Sequence, residues 1–130
     1  MSASQRNTFK KSESLCSRLL IDRLFQSDSS SVSAYPIRAV FLPVDAAVQT
    51  GVSILISVPK KRVLDAVDRN RVKRQIREAY RKHKHALAAQ VQAGGRGLLM
   101  AFVYVADKKE TTDYMEKRMV RLLEKVCKQL

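Results

Sequence analysis

Three consecutive stretches carry the fold: VSILISV (residues 52–58), PKKRVLDAVDRNRVKRQIREAYRKHKHALAAQVQ (59–92) and GGRGLLMAFVYV (94–105). The first is β-branched, bounded by Gly51 and Pro59, and reads as a strand. From Asp65 to about Gln92 the pattern is that of one long helix, stopped by Gly94, Gly95 and Gly97. The apolar run that follows, Leu98 to Val105, is short, partly β-branched and preceded by glycine. It is expected to be a strand buried on both faces.

Working outward, Tyr35 to Pro43 holds Ile37, Val40, Phe41 and Leu42 and reads as another strand. The Pro/Asp/Gln/Thr/Gly connection between it and Val52 suits a hairpin. Further upstream, Ser12 and Glu13 resemble a helix start, followed by Leu15, Leu19, Leu20, Ile21, Leu24 and Phe25 at helical spacing. The polar run 26–31 ends that helix. A C-terminal helix is expected from Thr111 or Thr112, carrying Tyr114, Met115, Met119, Leu122, Leu123 and Val126. Residues 1–11 read as a flexible basic leader and 12–130 as a single domain. Helix, strands, helix, strand, helix in that order argues for an α+β sheet layered with helices.

The charge balance restricts what such a domain can do. Lys and Arg number 25 against 12 Asp and Glu, a net charge of +13 on 130 residues. A compact body with that excess repels itself and attracts a polyanion, nucleic acid first and an anionic membrane surface second. The longest apolar run, Leu98 to Ala106, is far short of the roughly 20 residues a spanning helix needs. The polar, basic N-terminus has no apolar stretch to serve as a signal peptide, so a cytoplasmic location is expected. Cys16 and Cys127 are far apart and in no CxxC pairing, as suits reduced thiols in or near the core.

The positive charge is concentrated. Residues 60–85 hold 11 basic residues against Asp65, Asp68 and Glu78, a net +8. At about 100° per residue, Asn70, Lys73, Arg77, Arg81 and Lys84 fall within a sector of roughly 80°. Val72, Ile76, Ala79 and Leu87 cluster on another side. One face is core; the adjoining face is a ridge of guanidinium and ammonium donors suited to phosphate.

The run Arg69-Asn70-Arg71-Val72-Lys73-Arg74-Gln75-Ile76-Arg77-Glu78-Ala79-Tyr80 resembles the RNR signature of the bacterial ribonuclease P protein family. Ser57-Val58-Pro59-Lys60-Lys61 before it, and Phe9-Lys10-Lys11-Ser12-Glu13-Ser14-Leu15 at the start, are similar to that family too, so the resemblance spans about residues 9–127. It implies an αβββαβα sandwich with a four-stranded sheet and a left-handed βαβ crossover, a fold shared with a domain of a small-subunit ribosomal protein. The further strand it requires would be a short piece around Ser31 to Ser33.

The resemblance also implies a function: an endoribonuclease holoenzyme in which the RNA subunit, with Mg²⁺, removes the 5′ leader of precursor tRNA. This chain would supply no catalytic residue and no firm metal site. Arg69, Asn70, Arg71, Lys73, Arg74, Arg77 and Arg81 would bind RNA, helped by Lys10, Lys11, Lys60, Lys61 and Arg62. A leader-binding cleft is implied at Ile21, Phe25, Phe41, Asn70, Lys73 and Arg77, with apolar or aromatic platforms for bases beside a basic track for backbone. Ile21 stands where an aromatic is common, which weakens stacking there. The expected partners are the catalytic RNA and precursor tRNA, not DNA or membrane, for a chain monomeric on its own.

Residues alone speak against a protein nuclease. Asp65 and Asp68 are explained by capping and dipole complementarity. His83 and His85 point in different directions on a helix. Other RNA-binding roles remain open, a ribosomal one included; a DNA-binding regulator fits less well, because no helix-turn-helix precedes the basic helix.

Overall fold

The computed structural model describes residues 15, 17–26 and 29–130. The leader 1–11 with Lys10 and Lys11, the helix start at Ser12 and Glu13, and Cys16 lie outside the described residues. The elements are α1 (Arg18–Leu24), β1 (Ser30–Ala34), β2 (Ile37–Asp45), β3 (Gly51–Ser57), α2 (Ala66–His83), α3 (His85–Ala93), β4 (Arg96–Tyr104) and α4 (Thr112–Gln129). They form an α+β domain with one four-stranded mixed sheet in the order β1-β2-β4-β3.

β4 is central because of its composition. Every residue from Gly97 to Phe102 is buried, so the strand needs a paired neighbour on each side and a cover on each face. It takes β2 antiparallel, with Phe41 opposite Met100, and β3 parallel, with Ile54 opposite Met100. The hairpin expected between β2 and β3 is therefore not formed: β4 lies between them. Asp45 instead ends β2 in a turn, its carbonyl accepting from Val48 and Gln49 and its carboxylate from Ala47. β3, apolar but only half-buried along its last three residues, occupies the edge. The hairpin that does form joins β2 to the short strand expected near Ser31, here β1, with Ala34 paired to Ile37.

The two faces of the sheet have separate cores. Ile37, Ala39, Phe41, Ile54, Met100 and Phe102 pack with residues of α2, α3 and α4. Val40, Leu42, Val44, Leu99 and Ala101 pack with Leu24, Leu20 and Ile21 of α1. Burying a side chain such as Leu99 or Met100 contributes about 1.5–3 kcal/mol, which makes β4 the best-anchored strand. Tyr80 and Phe102, with ring centroids 5.6 Å apart, tie α2 to it.

Three expectations about helices change. The helix read from Asp65 to Gln92 breaks at Lys84, which caps both α2 and α3. On a straight helix Leu87 and Val91 would sit about 55° round from the centre of Val72, Ile76, Ala79 and Tyr80; the bend re-aims them into the core, where both are buried. α1 starts at Arg18, with Ser17 Oγ accepting from the Leu20 N–H. Leu15 precedes that helix, and its N–H donates to Ile54 O on the outer edge of β3 at 2.8 Å. Leu19, counted with the apolar face, is 79% exposed. α4 begins as expected, with Thr111 as its cap, and Cys127 is half-buried against the core.

At the α3–β4 turn Gly95 takes a left-handed φ of 67°, and Gly97 packs against backbone: an added Cβ would stand 1.8 Å from Gln49 O. Gly97→Ala is expected to lower stability by about 3 kcal/mol. Gly94→Ala, at a helical φ of −76° with only ordinary contacts at 3.6 Å, should raise it by about 0.5 kcal/mol. Urea unfolding of the two variants checks both signs.

Candidate nucleic-acid interface

α2 is built to hold its cations in place. Asp65 caps it, Oδ1 accepting from the Val67 N–H at 2.9 Å. Asp68, in the first turn, complements the helix dipole and pairs with Lys109 at 3.2 Å. Val72, Ile76, Ala79 and Tyr80 face the core. One flank faces α4: Gln75 Nε2 donates to Glu110 O (3.1 Å) and Thr112 Oγ1 (3.2 Å), and Glu116 meets His83 at 2.8 Å and Lys82 at 3.7 Å. The hydrogen bond from His83 and then the charge of Lys82 hold the Glu116 carboxyl below its usual range.

The opposite flank, on the side of the β3 edge, carries Asn70, Lys73 and Arg77, with Arg71 and Arg74 on the outer surface. Lys73 is half-buried and the other four are exposed. Arg71, Lys73, Arg74 and Arg77 have no ion-pair partner among the described residues. Their donors are available to a phosphate without breaking an existing pair.

Other members of the expected basic set are engaged. Arg69 Nη1 donates to Val63 O (3.0 Å) and Leu64 O (2.7 Å), fastening the loop before α2 onto the helix. Arg81 pairs with Glu78 at 2.8 Å, and that hydrogen bond holds the Glu78 carboxyl below its usual range. Arg62 pairs with Asp107 at 3.0 Å, while Lys60 and Lys61 are exposed. Lys84, read as part of the ridge, is buried at the α2–α3 break. The helix bends there, and a sector computed for a straight helix fails.

The expected cleft needs a larger correction. Phe41 is 2% exposed and belongs to the core beneath α2 and α4, on the sheet face opposite α1. Side chains alternate along β2, so Val40, Leu42 and Val44 are what α1 covers. Ile21 is half-buried against them and Phe25 is 51% exposed at the end of α1. Since α1 and α2 pack on opposite faces, Ile21 and Phe25 do not share a wall with Asn70, Lys73 and Arg77. A strand touching both sets must pass the outer edge of β3. Leu42 escapes a reading of the sequence because both faces of β2 are apolar, and period alone does not say which one meets α1.

The described residues contain no group of three or more His, Cys, Asp or Glu able to hold a metal ion. No described helix is long and apolar enough to cross a membrane.

Comparison with known proteins points to one family. The ribonuclease P family profile matches residues 9–130. A Porphyromonas gingivalis protein named ribonuclease P protein component is 37% identical over 117 residues, covering 90% of this chain and 85% of that protein. Its namesake from Chlorobaculum tepidum is 34% identical over 112 residues, covering 82% and 73%. The solved structure of the Staphylococcus aureus RNase P protein superposes with a TM-score of 0.66 at 20% identity, over 88% of this chain and 94% of that one. A family match over residues 9–130, relatives 34% and 37% identical over most of the chain and a shared fold lead to one conclusion: the chain belongs to the ribonuclease P protein family.

Proposed function

We propose that this chain is the protein subunit of a ribonuclease P holoenzyme, binding the catalytic RNA and the 5′ leader of precursor tRNA and so promoting endonucleolytic removal of that leader in the cytoplasm. The observation that carries this reading is the α2 flank, where Arg71, Lys73, Arg74 and Arg77 stand without carboxylate partners among the described residues, in a chain of this family. Cations arranged so neutralise phosphates, displace counterions and bring RNA segments together against their own repulsion.

In this reading the chain contributes binding and the RNA contributes the chemistry. The reaction draws on Mg²⁺ held by the RNA rather than by this chain. Exposed Phe25 supplies a stacking face for a leader base, with Ile21 one helical turn before it, packed against the cluster that holds Val40, Leu42 and Val44. The backbone then passes the β3 edge toward Asn70, Lys73 and Arg77. Lys60 and Lys61, on the loop leaving β3, lie along that path.

Reconstitution tests the reading. Purified protein added to a bacterial ribonuclease P RNA and a 5′-extended precursor tRNA at low Mg²⁺ should strongly stimulate cleavage at the mature 5′ end. Protein alone should cleave nothing. RNA binding without stimulation would instead favour a general RNA-binding role.

Two variants separate the contact types. Arg74→Ala with Arg77→Ala should weaken RNA binding and reduce the salt slope by about 2, one per phosphate contact. Phe25→Ala should cost about 1–3 kcal/mol in leader affinity with the salt slope unchanged. Filter binding across a salt series, with leader-bearing and mature tRNA compared, measures both.

A further inference from the structure

The charge of this protein is not exhausted by α2. On α4, Tyr114, Lys117, Arg118, Arg121, Lys125 and Lys128 follow one another at helical spacing, with Lys117 and Arg118 adjacent. All six fall within a sector of about 100°. No carboxylate lies inside it; Asp113 and Glu124 lie just beyond one margin. None of the five cations is in an ion pair among the described residues.

Two hydrogen bonds show where the sector points. Arg118 Nε donates to Tyr35 O at 2.7 Å, and Lys125 Nζ donates to Ser33 O. The Arg118–Lys125 margin of the stripe therefore lies over β1, an edge strand, and the turn after it. Arg121 and Lys128 stand on the outer face, where they also line the groove between α3 and α4. The other flank of α4 faces α2 and α3, through the Glu116–His83 pair and the Gln90 Nε2 donation to Cys127 O. The two cationic surfaces thus occupy opposite margins of the helical layer, one beside β3 and one beside β1, with Asp68 and Glu116 in the seam between them.

Tyr35 and Tyr114 stand at one end of this stripe, 52% and 38% exposed. Arg118 bonds the Tyr35 carbonyl, and Tyr114 lies one helical turn before Arg118 on α4, so both residues stand at that end. Aromatic faces next to a cationic track match the needs of unpaired bases on a phosphate backbone. A lipid surface fits less well. A membrane-lying helix inserts its apolar face, and here Met115, Met119, Leu122, Leu123 and Val126 are committed to the core.

We propose that the α4–β1 margin is a second RNA-binding surface, where Lys117, Arg121 and Lys128, with Arg118 and Lys125, grip a phosphate backbone and Tyr35 and Tyr114 take unpaired bases at its end. From Lys117 to Lys128 the stripe runs about 17 Å, long enough for several phosphates. Arg118 and Lys125 are already oriented by carbonyls of β1 and of the turn after it, so little freedom is lost on binding. With a cationic surface at each margin, the protein bridges two RNA segments rather than lying on one.

This inference rests on the RNA-binding reading above, and its test separates the two. Full-length protein carrying K117A, R121A and K128A keeps the Arg118 bond to Tyr35 and the Lys125 bond to Ser33. Its binding to a bacterial ribonuclease P RNA, and separately to precursor tRNA, is measured from about 50 to 300 mM salt. For the RNA that occupies the surface, the slope of log K against log salt should fall by about 2–3, and affinity near 150 mM by tenfold or more. The RNA affected identifies the source. The charge-conserving set K117R, R121K and K128R should keep the wild-type slope, and Tyr35→Ala with Tyr114→Ala should weaken binding without changing it. Unchanged slope and affinity for both RNAs in the folded alanine variant overturn this surface alone. Wild-type protein that binds neither RNA overturns the underlying function as well.

Discussion

The burial of β4 on both faces is the constraint on which the rest of the structure depends. Leu98 to Phe102 are withdrawn from water, and a strand this apolar is stable only with paired neighbours on both sides and a cover above and below. β2 and β3 supply the pairing; α1 covers one face, and α2, α3 and α4 the other. Seating β4 between two strands that precede it pushes β3 to the edge. The loop leaving β3 and the helix that follows then lie at the margin of the molecule. The site follows from the core: a helix over an edge strand buries one face and leaves a whole flank in water, where its cations need no internal partners.

That flank stays cationic because nearby carboxylates are occupied elsewhere. Asp65 is spent on the helix cap, Asp68 on Lys109, Glu78 on Arg81, and Glu116 on Lys82 and His83. These exposed pairs contribute little to stability, about 0–1 kcal/mol each. Their larger consequence is spatial: Asp68 and Glu116 keep their charge on the α4 side and Asp65 at the helix start, while Glu78, on the outer face beside Arg77, is engaged by Arg81. Arg69 shows the converse, a cation turned inward to hold the loop that aims the helix. The unpaired charge that remains destabilises the free protein through self-repulsion and is relieved when a polyanion binds.

Much of this is legible in the sequence. A run of β-branched and apolar residues reports a buried strand whatever surrounds it, and cations at helical spacing report a charged face. Hence, although β1, polar and mostly exposed, is expected only from the family resemblance, β2 to β4, the C-terminal helix capped at Thr111, and the exposure of Arg71, Arg74 and Arg77 agree with the pattern. Phe41 does not, because a strand apolar on both faces carries no mark of which neighbour lies on which side. Lys84 does not, because the bend that buries it comes from packing Leu87 and Val91, not from a glycine or proline.

By itself the sequence determined the element types, the α+β class, the concentration of charge in residues 60–85 and the family resemblance, because each is written in local period and composition. Only the tertiary structure decided the order β1-β2-β4-β3, the opposite-face placement of α1 and α2, which of the basic residues stand unpaired among those described, and the cationic margin that α4 presents over β1. The physical reason is that periodicity records how much of a side chain is buried and on which face of its own element. What it is buried against depends on strand pairing and helix packing between residues far apart in the chain.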